Sequence, residues 1–337
     1  MAMQPYGAML KDRLARMLCA TASTYFQSAP FALGKPYLWN HVVRPYLLWR
    51  DQPITAVTKF GAVLEGRLHD AIHNSLYFFG VWEPGITRIF QTQLRPGDVC
   101  IDIGANVGAH TLLAAHLVRS NGRVHAIEAS PTIYQRLTRN LELNHLHQVT
   151  PYNVAVTDQA GPVTVFLHDA TNLGATTIIA SAASRRATTV EVVVDGRPLS
   201  GIVPIEEIKA ARLIKIDVEG AEWLVLQGMR DVLPTLRPDC LVLLELNPEA
   251  LAQQGRIVDD VVGFFGAYGL LPLEIENSGP RLDPRRPEFY DRRPYRVLSP
   301  EVGSRAADGG PTIDLGFAQP ALRDALLQAD RAQSGAS

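Results

Sequence analysis

The sequence predicts an α/β fold, a doubly wound and mostly parallel sheet with helices on both faces. Three stretches carry that expectation. Asp98 to Ala115 (DVCIDIGANVGAHTLLAA) passes from an apolar run through small residues at Gly104, Ala105 and Gly108 into helical spacing through Leu112, Leu113 and Leu117. Arg123 to Ser130 (RVHAIEAS) is a second apolar run that ends on an acid, Glu128. Leu213 to Glu222 (LIKIDVEGAE) repeats the order of strand, acid, glycine and helix. Alternating strands and helices imply parallel neighbours joined by right-handed crossovers. The chain has 337 residues and is 47% hydrophobic, enough for a sizeable core.

Taken in order, residues 1 to about 55 read as an aromatic-rich helical prelude of short helices laid over the body, broken by Pro30, Pro36, Pro45 and Pro53. Within it, Ala8 to Ala22 has the spacing of an amphipathic helix, and its charges at Lys11, Asp12, Arg13 and Arg16 interrupt any signal-peptide core. Val57 to Leu68 carries short extended runs, Asp70 to Phe79 reads as a helix, and Gly80 to Gly85 (GVWEPG) as a turn. Strands are then expected near 99–103, 123–128, 149–156, 212–218, 240–246 and 270–276. Helices are expected near 108–119, 131–144, 220–236 and 259–269. An inserted hairpin at about 162–200 flanks the polar TNLGATT loop, so the domain runs over 56–300. The last segment, 301–337, reads as a loosely ordered tail with one helix-like run at Ala321 to Ala332.

Composition removes several function classes. Thirty-two basic against 34 acidic residues leave a net charge of -2, so nothing global recruits nucleic acid. No run of about 18 apolar residues is present, so no membrane span is expected. Cys19, Cys100 and Cys240 are widely spaced and read as buried reduced thiols of a cytoplasmic protein. His69 and His73 fall at i and i+4 without the Glu of H-E-x-x-H and are taken as one helix face.

The chemistry is expected where side chains have been stripped away. A glycine turn opening a helix lets backbone amides approach a ligand, and a nucleotide-like cofactor is its natural tenant. The order here is D-x-G-x-N-x-G, from Asp102 through Gly104 and Asn106 to Gly108, and not the dinucleotide order G-x-G-x-x-G. Glu128 follows Gly108 by twenty residues, close to the spacing at which an acid accepts hydrogen bonds from a ribose diol. Asp217 ends a strand that should lie beside the first one, so Asp102 and Asp217 would face one crevice. Glu219 and Glu222, at the next helix start, read equally well as dipole-capping acids. Glu245 and Asn247 (LLELNPE) would reach the same edge, and with Asp217 they form a possible but disfavoured divalent-cation set.

The motifs together resemble the FkbM-type methyltransferases, class I enzymes that depend on S-adenosylmethionine. The resemblance rests on GVWEP (Gly80 to Pro84), GDVCIDIGANVGAHTLLAA (Gly97 to Ala115), VHAIEASP, NVAVTD (Asn153 to Asp158), LIKIDVEGAEWLVLQGM (Leu213 to Met229) and LLELNPE, in the family's order over roughly residues 57 to 276. It implies a seven-stranded Rossmann-like methyltransferase sheet. It also implies that Asp102, Gly104, Asn106 and Gly108 line the methionine moiety, that Glu128 takes the ribose, and that Asn153, Ala155 and Asp158 border the adenine. Asp217 would lie near the transferred methyl group, and Trp82 and Glu83 in a segment closing over the crevice.

Because the donor carries its own activation, the protein has to align, exclude water and provide a base for an alcohol. Asp217 is the first candidate base, Glu245 and Glu219 the next, and His110, on the substrate side, an outside choice. The expected activity is O-methylation of a hydroxyl on a small or glycosylated metabolite. The six arginines of Arg281 to Arg296 are a possible grip on an anionic or glycosylated acceptor, or a solvated loop. An NAD-binding oxidoreductase and a cofactor-binding protein without turnover are the competing classes, and the oligomeric state is not legible.

Overall fold

The computed structural model describes residues 6–29, 33–167, 189–275, 297–298 and 312–334. These divide into two compact units, one of residues up to Pro84 and one of residues from Gly85 onward. The TNLGATT loop and the Arg281 to Arg296 segment lie outside the described residues.

The first unit begins with a 23-residue helix, Tyr6–Ser28, in place of the short helices expected there. Its prolines break less than their number suggests, because Pro36 occupies the first turn of helix Lys35–Leu38, where no amide donor is needed. Pro45 lies inside the π-helical continuation Trp39–Leu47. A hairpin follows, β1 (Pro53–Val57) against β2 (Val63–Arg67), and then helix Ala71–Phe79. The prelude has a core of its own. Ala15, Cys19, Ala22 and Phe26 line one stripe of the first helix and share a core with Trp39, Ile54, Leu68 and Phe78. Phe26 meets Trp39 and Phe78 edge to face, at 6.0 and 6.1 Å between ring centroids.

His69 and His73 do not share a helix face. Asp70 caps the helix by accepting the His73 amide at 3.1 Å, which leaves His69 outside. The His73 ring is buried between the Asp70 carboxylate, 2.7 Å from Nδ1, and the Glu65 carbonyl, 3.1 Å from Nε2.

In the second unit, the strands are β3 (Val99–Ile103), β4 (Arg123–Ile127), β5 (Val149–Tyr152), β6 (Ala155–Val156), β7 (Gly161–Leu167), β8 (Thr189–Arg197), β9 (Ala211–Ile216), β10 (Leu241–Leu246), β11 (Leu271–Ile275), β12 (Val297–Leu298) and β13 (Ile313–Ala318). The main sheet has the order β12-β11-β13-β10-β9-β3-β4-β5. The five strands from β5 to β10 are parallel, and β13 runs antiparallel between β10 and β11. The seven strands implied by the resemblance are present, with the two-residue β12 added at the edge. Every residue of β3 is buried, as a central parallel strand requires. From β3 the chain proceeds one way to β4 and β5 and the other way through β9 to β10, so the order reverses between β3 and β9.

The strand expected over 149–156 is two strands. It bends at Asn153, and β6 joins a separate sheet with β8 and β7. The expected hairpin is the antiparallel pair β7 and β8. The helix expected over 220–236 is Glu222–Gly228, followed by a short 3-10 turn at Leu233–Thr235 around Pro234. The larger correction concerns the tail. Within the described part of 301–337, Ile313–Ala318 is an interior strand and Pro320–Ser334 a helix. Leu315 and Phe317 are fully buried, and the Phe317 ring stacks on Phe265 at 3.9 Å. Burying these side chains and pairing both edges of β13 outweighs the ordering entropy that the tail's small-residue composition suggested would prevail.

Candidate functional site

The site grows from the exits of β3, β4 and β9. After Ile103 the chain turns at Gly104, whose φ of 80° puts it in the left-handed region. A side chain there is impossible on space alone, since a Cβ would stand 1.7 Å from the carbonyl oxygen of Asp217. The amides of Gly104 and Ala105 both donate to the Ile127 carbonyl, at 2.9 and 3.0 Å. Asn106 follows at φ 52°, with its side-chain oxygen accepting the Val107 amide at 2.8 Å. Gly108, at φ 94°, opens helix Ala109–Val118. The turn is therefore stitched to β4 on one side and pressed against the end of β9 on the other.

Glu128 leaves β4 and is buried, each carboxylate oxygen accepting one amide: Asn106 on Oε2 and Ser130 on Oε1, both at 2.9 Å. Burial pushes its carboxyl up to about 7, against those two amides, which pull it down. Asn153 donates from Nδ2 to the carbonyls of Glu128 and Ala129, at 2.9 Å each, and so fixes the end of β4. Asp102 is buried within β3. Thr111 donates to its Oδ2 at 2.6 Å, while Oδ1 has no hydrogen-bond partner. Burial raises its carboxyl above the ordinary value, opposed by the Lys215 ammonium and the Thr111 hydroxyl.

At the end of β9, Lys215 and Asp217 lie on one face, and the ammonium donates to Asp217 Oδ2 at 2.8 Å. The Asp217 charge raises the carboxyls of Asp102, Glu128 and Glu222, which places all four acids in one electrostatic neighbourhood. Glu222 is 2% exposed, accepts the Gly220 amide on Oε1 at 2.7 Å, and has no partner for Oε2. Burial pushes its carboxyl up to about 7. Glu219 sits just before it at φ 51°.

His110 is buried one turn into the helix after Gly108, stacked on Phe90 with ring centroids 5.2 Å apart. Burial, and secondarily Lys215, hold its imidazole well below the usual range, so the ring is neutral at pH 7. Glu245 lies on β10 directly opposite Asp314 on β13. Both line a small cavity with Lys215, Ile86, Ile275 and Leu315.

The structure thus brings together Asp102, Gly104, Asn106, Gly108, Glu128, Asn153 and Asp217, with Glu245 reaching them through the cavity that Lys215 also lines. Ala155, buried, and Asp158, exposed, lie on and just beyond β6 in the three-stranded sheet. Trp82, half-buried, and Glu83, buried, belong to the first unit. Asn247 caps helix Pro248–Gln253, its Oδ1 accepting the Ala250 amide at 3.0 Å. Among the described residues, no group of three or more His, Cys, Asp or Glu side chains has the arrangement of a metal site.

Sequence reasoning passed over Lys215, Thr111 and Asp314. A lysine inside the apolar run LIKID was the readable signal for the first. The hydroxyl one turn past Gly108 was a weaker one for the second, and Asp314 was invisible while its strand was read as tail. The three cysteines are free and buried, with burial pushing the Cys19 thiol up to about 11 and Cys240 up to about 12. No described helix is long and apolar enough to cross a membrane.

Comparison with known proteins adds a family. Residues 102–270 match the profile described as the methyltransferase FkbM domain. The 31-O-demethyl-FK506 methyltransferase FkbM of Streptomyces tacrolimicus is 32% identical over 165 residues, covering 41% of this chain and 62% of that protein. The hexuronic acid methyltransferase AglP of Haloferax volcanii is 24% identical over 167 residues, covering 49% and 62%. The chain thus spans about 62% of the length of each of these curated relatives. Among solved structures, a precorrin-6y C5,15-methyltransferase of Geobacter metallireducens GS-15 aligns over 69% of this chain and 87% of its own, at 12% identity and a TM-score of 0.36. At that distance the fold is better read from the sheet order itself.

Proposed function

Since the chain belongs to the FkbM methyltransferase family, we propose that it transfers a methyl group from S-adenosylmethionine to a hydroxyl of a small or glycosylated metabolite. The observation that carries this reading is the closure of the Gly104 turn onto the Asp217 carbonyl, which leaves no room for a side chain between the two strand exits. The donor set also fits an adenosyl cofactor. Asp102 presents a buried carboxylate oxygen without a partner, suited to an ammonium, and Glu128 keeps the lone pairs that its two amide donors do not use.

In this reading Asp102, Gly104, Asn106 and Gly108 hold the methionine end, Glu128 takes the ribose diol, and Asn153, Ala155 and Asp158 border the adenine. When bound, S-adenosylmethionine supplies a methyl group already activated on a sulfonium, for in-line displacement. The chain's own task is alignment, exclusion of water and removal of one proton. In this reading Asp217 orients the acceptor hydroxyl and takes its proton, and the Lys215 ammonium holds its carboxylate. Glu245 and Glu219 are the next candidates. Neutral His110 is a further acceptor on the helix side.

The test is transfer of labelled methyl from S-adenosylmethionine to a panel of hydroxylated macrolides and hexuronic acid glycosides. Asp217→Asn is expected to lower kcat by about 10²-fold or more while S-adenosylhomocysteine binds as before. Binding of S-adenosylhomocysteine without transfer to any acceptor would favour a cofactor-binding protein without turnover and refute the enzyme reading.

A further inference from the structure

The first unit presents a surface that its own packing does not use. Helix Tyr6–Ser28 buries the stripe of Ala15, Cys19, Ala22 and Phe26, yet a second apolar stripe at i, i+3 and i+4 stands outward. There Leu14 is 51%, Met17 60% and Leu18 53% exposed. The following segment adds outward aromatic rings at Tyr37, Tyr46 and Trp49, the last 69% exposed. Of the twelve large hydrophobics that stand exposed among the described residues, seven fall between Leu14 and Trp49. Scattered single exposures are ordinary, but this concentration in one short stretch is not.

Charge accompanies it. Residues 1–50 contain six lysines and arginines against one aspartate, in a chain whose whole charge is -2. Arg13 and Arg16 are exposed beside Leu14 and Met17, and Arg44 is exposed beside Tyr46. The single aspartate, Asp12, is held by Arg16 and Arg50, at 2.9 Å each.

Outward leucine and methionine flanked by arginine, with exposed tyrosine and tryptophan in the segment that follows, match an anionic lipid surface. Acyl chains take the apolar stripe, the rings sit at headgroup level, and the guanidiniums meet acidic phosphates. We propose that the N-terminal unit docks the protein peripherally on an anionic bilayer, without spanning it. A second copy of this chain would present the same excess positive charge to itself, which favours the lipid.

The experiment is co-sedimentation of the full chain with vesicles of pure phosphatidylcholine and of phosphatidylcholine containing 30% phosphatidylglycerol (about one lipid in three, enough to set a negative surface potential). The expected result is binding to the anionic vesicles alone, weakening with salt. Leu14→Gln/Met17→Gln/Leu18→Gln should bind at least about tenfold more weakly. Arg13→Gln/Arg44→Gln should lose roughly fivefold per arginine, and it carries the test if the triple variant fails to fold. All five substituted positions lie outside the proposed methyl-transfer machinery, so binding of S-adenosylhomocysteine should be unchanged in the folded variants. Absence of sedimentation with anionic vesicles, or equal binding by the arginine variant, would overturn the proposal. So would a dimer in light scattering that the triple variant dissociates and vesicles do not compete for.

Discussion

Replacing Glu222 by glutamine should stabilise the protein at alkaline pH and leave it unchanged at acid pH. The side chain is almost wholly buried, and only one of its carboxylate oxygens has a partner, the Gly220 amide at 2.7 Å. Glutamine keeps that acceptor and places an amide where the unpartnered oxygen stood. Burial raises the folded-state carboxyl from its ordinary 4.5 to about 7. Between those values the folded state holds a proton that the unfolded state has released, so native stability falls as pH rises through the window. Above the upper value the cost is fully present. At about 1.4 kcal/mol per pH unit, a rise of that size is worth about 3 kcal/mol at most, and relaxation around the ionised group brings the expected gain to about 1–3 kcal/mol at pH 8. Urea unfolding of both proteins at about pH 4, below the window, and at about pH 8, above it, reads it directly. A gain of the same size at both pH values, or a loss at pH 8, would refute the reasoning. Retention of methyl transfer in the same variant would mark Glu222 as a structural acid.

Gly104→Ala should destabilise by at least about 2 kcal/mol and abolish S-adenosylhomocysteine binding, because the added Cβ would stand 1.7 Å from the Asp217 carbonyl in a left-handed backbone. A thermal shift assay with and without ligand checks both effects, and a fully stable alanine variant would show that the two strand exits are not locked together. Phe317→Ala should cost about 3–5 kcal/mol through the cavity left against Phe265. A change below about 1 kcal/mol in denaturant unfolding would return Ile313–Ala318 to the status of a dispensable tail. Methyl transfer should be indifferent to EDTA, since the Asn247 oxygen that would complete a cation set with Asp217 and Glu245 already caps a helix. Activity lost to chelator and restored by magnesium would contradict that.

The parallel half of the sheet was legible because its signals are local. The apolar runs ending at Asp102, Glu128 and Asp217 each finish where a strand does, and Gly104 and Gly108 turn where a side chain could not. What failed was non-local. Ile313–Ala318 is a strand only because two distant partners, β10 and β11, pair with both of its edges, and no pattern within six residues announces that. The break at Asn153 has the same origin, since the amide that anchors the end of β4 lies 24 and 25 residues along the chain from its acceptors. In the site, the acids were found by position along their strands, whereas Lys215 was overlooked in an apolar run because its role depends on a carboxylate two residues on and on buried Asp102. The N-terminal helix shows the converse. Its amphipathic spacing is legible in the sequence, but only the structure separates a buried stripe from an exposed one.

What the three strand exits hold decides between the competing functions. Titrating S-adenosylhomocysteine into the full chain in a calorimeter is expected to give heat saturating at one ligand per chain, with NAD giving none under the same conditions. Heat with NAD and silence with S-adenosylhomocysteine would contradict the central claim outright.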